Sequence, residues 1–191
     1  MTTLLGNPSL IGVEDGSFKA FQRRAAQKCP LCVVKMSGLK IEEVRACLIT
    51  VDGQDVTSKL SVVLQSMMFE AIILGGITFA GFNVVNARQL LKEFSRPVII
   101  FMRDSPNNVA MREALQKHFD DWKGRWSLIE PLGPIHSTST CLGEPPVYFE
   151  VVGAEPSWAE AILRYSAALC RIPEPVRVAR LVARGISITS D

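Results

Sequence analysis

Three short, nearly unbroken apolar runs restrict what this chain can fold into: "FEAIILGG" at 69–76, "RPVIIFMR" at 96–103 and "PVYFEVVG" at 146–153. Runs of this length without polar alternation mark strands buried on both faces. Segments with helical spacing lie between and after them. In "TSKLSVVLQSMM" (57–68), Leu60, Val63, Leu64 and Met67 recur at helical steps, with Thr57 or Ser58 as the cap. "NARQLLKEF" (86–94) starts at an Asn86 cap and stops short of Pro97. "NNVAMREALQKHFDDW" (107–122) reads as one helix with Val109, Leu115 and Phe119 as its apolar members. "EPSWAEAILRYSAAL" (155–169) is entered through Pro156, and "IPEPVRVARLVARGI" (172–186) carries a further short helix. Upstream, "SLIGVEDG" (9–16), "PLCVVKMSG" (30–38) and "KIEEVRACLITVDGQD" (40–55) read as strands, the last two joined by a turn at Ser37-Gly38. Three early strands, then alternating helix and strand, then a hairpin-like segment and two helices describe an α/β protein, a mixed sheet flanked by helices. No repeat or long linker interrupts the order, so a single domain over residues 1–191 is expected.

Composition narrows the class. Hydrophobic residues make up 48% of the 191 and charged residues 21%, which supplies a core and excludes a disordered chain. The longest apolar stretch, Ala71 to Val85, holds Thr78 and Asn83 and falls short of the ~20 residues of a membrane span. The opening "MTTLLGNPSL" lacks a signal peptide's basic and apolar regions, and the cysteine count of five is odd, so a cytoplasmic, reducing location is expected. Cys29 and Cys32 have C-x-x-C spacing, but zinc needs two further ligands and strand residues three apart face opposite ways; both read as plain thiols. A net charge of +2 does not by itself imply a polyanionic partner. The charge is uneven, however. Lys19, Arg23, Arg24, Lys28, Lys35 and Lys40 form one acid-free stretch, and Arg171, Arg177, Arg180 and Arg184 a second concentration. Solvated surfaces and a nucleic-acid footprint both fit.

The run "ILGGITFAGFN" (73–83) spaces Gly76 and Gly81 as a nucleotide-phosphate loop would, but Phe82 and Asn83 stand where that loop needs Lys and Ser/Thr. It reads instead as the end of a central strand, where α/β folds place their crevices. Glu14 and Asp15 end the first strand, and Asp52 and Asp55 end the third. Carboxylates at adjacent strand ends suit Mg²⁺ or Mn²⁺ and phosphodiester hydrolysis, while Asp-Gly pairs equally suit turns.

The stretches "IGVEDGSF", "ITVDGQDVT", "GITFAGFNVVN", "RPVIIFMR", "HFDDWKGRWSLIE" and "RIPEPVRVARLVARGI" resemble, in order, an archaeal domain-of-unknown-function family (number 99) related to endonuclease V. The resemblance implies a ribonuclease H-like fold and a metal-dependent nuclease ancestry. It places the first strand-end acid at Glu14 beside Asp15 and the second at Asp55, with Asp52 as its neighbour. The third acid belongs at Gly75, where the related family usually reads "DGITFGGFN". A fourth functional position, after the "PEP-x-R-x-A" pattern, is occupied by Arg180. Glu14, Asp15 and Asp55 are thus the candidate metal ligands, with no cofactor certain and Mg or Mn implied if the chain is catalytic. Losing the carboxylate at position 75 removes both ligand charge and ligand count, which points to a degraded metal site.

Nucleic-acid binding with weak or absent cleavage is therefore the leading expectation, the partner being single-stranded or damaged nucleic acid. Arg177, Arg180 and Arg184 share one face of the final helix, with Val178, Leu181 and Val182 expected to anchor the other. Arg177, Arg180 and the Arg23-Arg24 pair would hold phosphate, and the rim of Gly75, Gly76 and Asn83 would face the strand, its glycines admitting a base closely. The alternatives are an active Mg/Mn-dependent endonuclease using Glu14, Asp15, Asp52 and Asp55, and a non-catalytic protein-interaction scaffold. Trp122 and Trp126 could stack on bases or pack the loop after their helix. His118 reads as a packing residue.

Overall fold

The computed structural model describes residues 6–18 and 27–188, the last of these by its backbone alone. In chain order the elements are β1 (Ser9–Asp15), β2 (Lys28–Ser37), β3 (Lys40–Thr50), α1 (Val56–Leu64), β4 (Ala71–Leu74), β5 (Thr78–Phe79), β6 (Asn83–Val84) and α2 (Ala87–Phe94). They continue with β7 (Val98–Met102), α3 (Asn108–His118), α4 (Trp122–Ile129), a 3₁₀ turn (Glu130–Leu132), β8 (His136–Thr138), β9 (Val147–Val152), α5 (Pro156–Ser166) and α6 (Glu174–Ile188).

The main sheet runs β3-β2-β1-β4-β7-β9-β8, with β1, β4 and β7 parallel and the outer pairings antiparallel. The period-2 alternation of a strand explains the unbroken apolar run of β4. Ile72 and Leu74 enter one core with Ile11, Val13, Ile100 and helices α1 and α2. Ala71 and Ile73 enter another with Leu10, Phe149 and the α5 residues Ile162 and Leu163. Cys29 and Cys32 divide the same way, each buried in a different core. Burial pushes the Cys29 thiol up to about 12 and the Cys32 thiol up to about 11, so neither is a ready nucleophile.

The helix over 107–122 expected from spacing is two helices. α3 stops at His118, Phe119 is extended, and α4 begins at Trp122. Leu115 is fully buried and Phe119 packs against the core, but Val109 is exposed. The α1 cap is Asp55, not Thr57 or Ser58. The Thr57 hydroxyl accepts from the Asn86 backbone N–H, and the Ser58 hydroxyl donates to the Asp55 carbonyl. Asn86 caps α2 as expected, accepting from the Gln89 N–H at 3.0 Å.

α6 lies against β1 and β2, seated by Val176, Ala179 and Ala183. Val178 and Val182 contribute partly, while Leu181 is exposed and not the anchor its spacing suggested. The small residues matter because the approach is close. A Cβ at Gly12 would collide with the backbone of Pro175 and Val176. On β9, Glu150 is buried, and that burial pushes its carboxyl up to about 7.

Candidate functional site

Parallel pairing of β1 with β4 sets Val13 beside Leu74, so the next residues out, Glu14 and Gly75, stand side by side where both strands end. The Gly75 N–H donates to the Val13 carbonyl at 2.9 Å and holds that alignment. By strand alternation Glu14 faces α6 and Asp15 faces the β5–β6 loop. α6 crosses above, and its Arg180 and Arg184 join Glu14, Asp15, Gly16, Ser17, Phe18 and Gly75 around a pocket of about 420 Å³. Neither arginine makes an ion pair at contact distance among the described residues. Both act at longer range, lowering the carboxyls of Glu14 and Asp15. Burial nevertheless wins at Glu14, and with the neighbouring charge of Asp15 it pushes that carboxyl up to about 7. Burial also raises Asp15, against the opposing backbone N–H of Ala80.

The other two candidate acids are spent elsewhere. Asp55 accepts from the Thr50 N–H at 3.0 Å, the Thr50 hydroxyl at 2.8 Å and the Asn83 amide at 2.7 Å. Burial works against its charge, but these donors and Lys28 outweigh it and hold the carboxyl below its ordinary value. Asp52, left-handed at φ 55°, accepts from the Phe82 N–H at 2.9 Å and lies against Gly81, whose φ of +85° and missing Cβ make room for it. The backbone of Ala80, also left-handed at φ 45°, straps the two halves together: its N–H donates to Asp15 and its carbonyl accepts from Asp52 at 2.8 Å. Left-handed backbone at non-glycine residues costs roughly 1 kcal/mol each and persists where surroundings enforce it.

Asp52 and Asp55 serve as loop fasteners and do not line the pocket of Glu14 and Asp15. Among the described residues no three His, Cys, Asp or Glu side chains gather as a cation site. The side chains present do not fit a two-metal centre, because only one adjacent pair of acids converges and two guanidinium groups stand over it. Asn83 is fully buried, not a rim residue: its Oδ1 accepts from the Val56 N–H and its Nδ2 donates to Thr50 and Asp55. The space beside Gly75 is not open to a base, since a Cβ there would lie 2.5 Å from Glu14 Oε1 and 2.8 Å from its Cγ. Arg177 is paired with buried Glu174 at 2.7 Å and does not reach the pocket lining. Arg23 and Arg24 lie outside the described residues.

Arg125 is the residue that sequence reasoning missed. Half of a "WKGRW" pattern that could have stacked on bases, its guanidinium is buried. It donates to the carbonyls of Asp52 (3.0 Å), Gly53 (2.9 Å) and Phe82 (2.6 Å), and pairs with Asp121 at 3.0 Å. Its charge lies 4.4 Å from the centre of the Phe119 ring. Trp122 and Trp126 pack against the core, with Arg112 over both rings.

Known proteins share this architecture. The chain is 35% identical to a UPF0215 protein of Methanopyrus kandleri over 182 residues, covering 93% of this chain and 90% of that one. It is 34% identical to a UPF0215 protein of Thermococcus kodakarensis over 181 residues, covering 93% and 91%. A protein of unknown function from Archaeoglobus fulgidus superposes with a TM-score of 0.80 at 29% identity, over 93% of this chain and 97% of that chain. Endonuclease V of Ciona intestinalis, solved with a 23mer DNA containing an inosine followed by a ribo-adenosine, superposes with a TM-score of 0.65 at 11% identity, over 97% and 87%. Human endonuclease V gives 0.64 at 15%, over 96% and 86%. At those identities the likeness establishes the endonuclease V fold, which agrees with the ribonuclease H-like sheet expected from the motifs. The family model for endonuclease dU matches residues 8–187, and the chain belongs to the endonuclease dU family.

Proposed function

We propose that this protein binds the phosphate backbone of nucleic acid at the β1–β4 strand ends, with Arg180 and Arg184 as the phosphate contacts and without a two-metal cleavage centre. One observation carries the reading: two arginines without close ion pairs among the described residues overhang a polar pocket whose described lining holds one pair of acids. A guanidinium recognises phosphate with several donors in a fixed plane and needs no metal to do so. The DNA complex of the fold relative from Ciona intestinalis supports a nucleic-acid partner. Single-stranded or damaged strands are the partner we infer, in keeping with the inosine-containing DNA bound by that fold relative.

Fluorescence anisotropy with a labelled oligothymidylate tests it. Binding should persist in EDTA and weaken steeply with salt. The R180A/R184A variant should bind about tenfold more weakly, with its salt slope reduced by about 1.4, two single-strand phosphate contacts at ~0.7 each. Unchanged affinity in that variant would remove Arg180 and Arg184 from the interface. No binding by the unaltered protein would leave the scaffold reading.

A second reading, metal-dependent cleavage, is favoured by the description of the family as endonuclease dU and by Glu14 and Asp15 sharing one pocket. Strands containing deoxyuridine or inosine, incubated with Mn²⁺ or with EDTA, decide it. Product formed only with metal and lost in D15N would establish an enzyme.

A further inference from the structure

The side chain of Glu14 occupies the volume that any side chain at position 75 would need. A Cβ on Gly75 would overlap the Glu14 carboxyl carbon and lie 2.5 Å from Oε1 and 2.8 Å from Cγ. The two positions are neighbours on parallel strands, on the same face of the sheet, and both line the pocket beneath Arg180 and Arg184. The β1 backbone has no freedom to retreat, because a Cβ at Gly12 would already meet the α6 backbone. The Glu14 carboxyl is thus confined between the end of β4 and the arginines.

We propose that positions 14 and 75 form one coupled binding position with room for a single acid, which Glu14 of β1 supplies. Its role is to temper the two arginines. The Glu14 charge, beside that of Asp15 in the same pocket, sets how strongly Arg180 and Arg184 hold a phosphate. This part rests on the phosphate reading above; the coupling of the two positions does not.

Two readouts separate them. First, oligothymidylate affinity is measured for E14A, G75D and E14A/G75D. E14A should bind about threefold to tenfold more tightly, since a like charge near the phosphate is gone. E14A/G75D, which returns an acid to the same space from the neighbouring strand, should fall back to within about twofold of the unaltered protein. G75D alone should bind most weakly. If E14A/G75D behaves as E14A, the shared position is refuted.

Second, G75A is examined by carbon-detected NMR of the side-chain carboxyls. Glu14 ends in a flexible chain, so the fold survives and the carboxyl is evicted toward solvent. Its carboxyl resonance should gain the relaxation that a soluble paramagnetic probe gives an exposed side chain and not a pocketed one. A Glu14 carboxyl as protected in G75A as in the unaltered protein overturns the coupling even if no variant binds nucleic acid. An exposed Glu14 with no binding by any variant keeps the coupling and rejects the phosphate role.

Discussion

Replacing Arg125 with alanine tests how the loops around the strand ends are held. Its guanidinium satisfies three carbonyls from two separate loops, Asp52 and Gly53 after β3 and Phe82 in the β5–β6 turn. Each of these part-buried hydrogen bonds contributes about 1 kcal/mol, the central value for a hydrogen bond in a protein. Loss of the stacked charge on Phe119 adds roughly 1 kcal/mol in a desolvated site. The Asp121 pair, 40% exposed on the acid side, adds at most a few tenths and is neglected. The total is about 4 kcal/mol, and for a chain of this length it lowers Tm by about 8–16 °C. R125K should lose most of the same amount, because one ammonium cannot reach three carbonyls and Asp121 together. Calorimetric melts give the stability. Amide exchange at Phe82, whose N–H donates to Asp52 at 2.9 Å, gives the local effect and should quicken in both variants. A Tm within about 3 °C of the unaltered protein, corresponding to less than ~1 kcal/mol, would refute the loop-clasp role.

Three further outcomes follow from the geometry. G12A should fail to accumulate as folded protein, because its Cβ meets backbone of Pro175 and Val176 that has no rotamer to escape into; a soluble variant with an unchanged melt would show that α6 can lift. N83D should destabilise by about 3 kcal/mol in denaturant titrations, since it aims a second carboxylate at Asp55 and at the Thr50 carbonyl where an amide now donates. Glu150 takes up a proton on folding between its ordinary 4.5 and about 7, so the stability it contributes falls as pH rises through that window. E150Q should therefore gain Tm over the unaltered protein at about pH 8 and much less at about pH 5; equal gains at both would show that Glu150 titrates normally in the fold.

The central sheet was readable because β4 and β7 bury both faces, and only an uninterrupted apolar run does that. The Asn86 cap was readable because its bond is local. The break between α3 and α4 was not, since Phe119 turns extended to meet Phe82, a residue distant in sequence, at 5.4 Å between rings. At the site, Glu14, Asp15, Gly75 and Arg180 could be picked out from strand-end position and family pattern, and they do share a pocket. Asp55 and Asn83 could not be separated from them. Their chemistry is that of ligands, and only the fold shows every polar atom used by Thr50 and Val56. Arg177 likewise shares a helical face with Arg180, and what diverts it is Glu174 three residues earlier. Spacing shows which residues can meet, and competing partners decide which do.

The seating of α6 on Gly12 also governs when the pocket can come into being. The Ser17 N–H donates to the Ser187 hydroxyl across 170 residues of sequence, and the same long closure brings Arg180 and Arg184 over Glu14. Contacts of such separation demand chain entropy before they return energy, and they form late in folding. During synthesis β1 to β3 emerge first and can pair as a meander, while the acids at the end of β1 stay uncovered until α6 has left the ribosome and docked. The intermediate before that event exposes the apolar strip of Cys32, Val34 and Met36. In refolding experiments the phosphate-binding signal should therefore appear in the last kinetic phase, after the sheet has already formed.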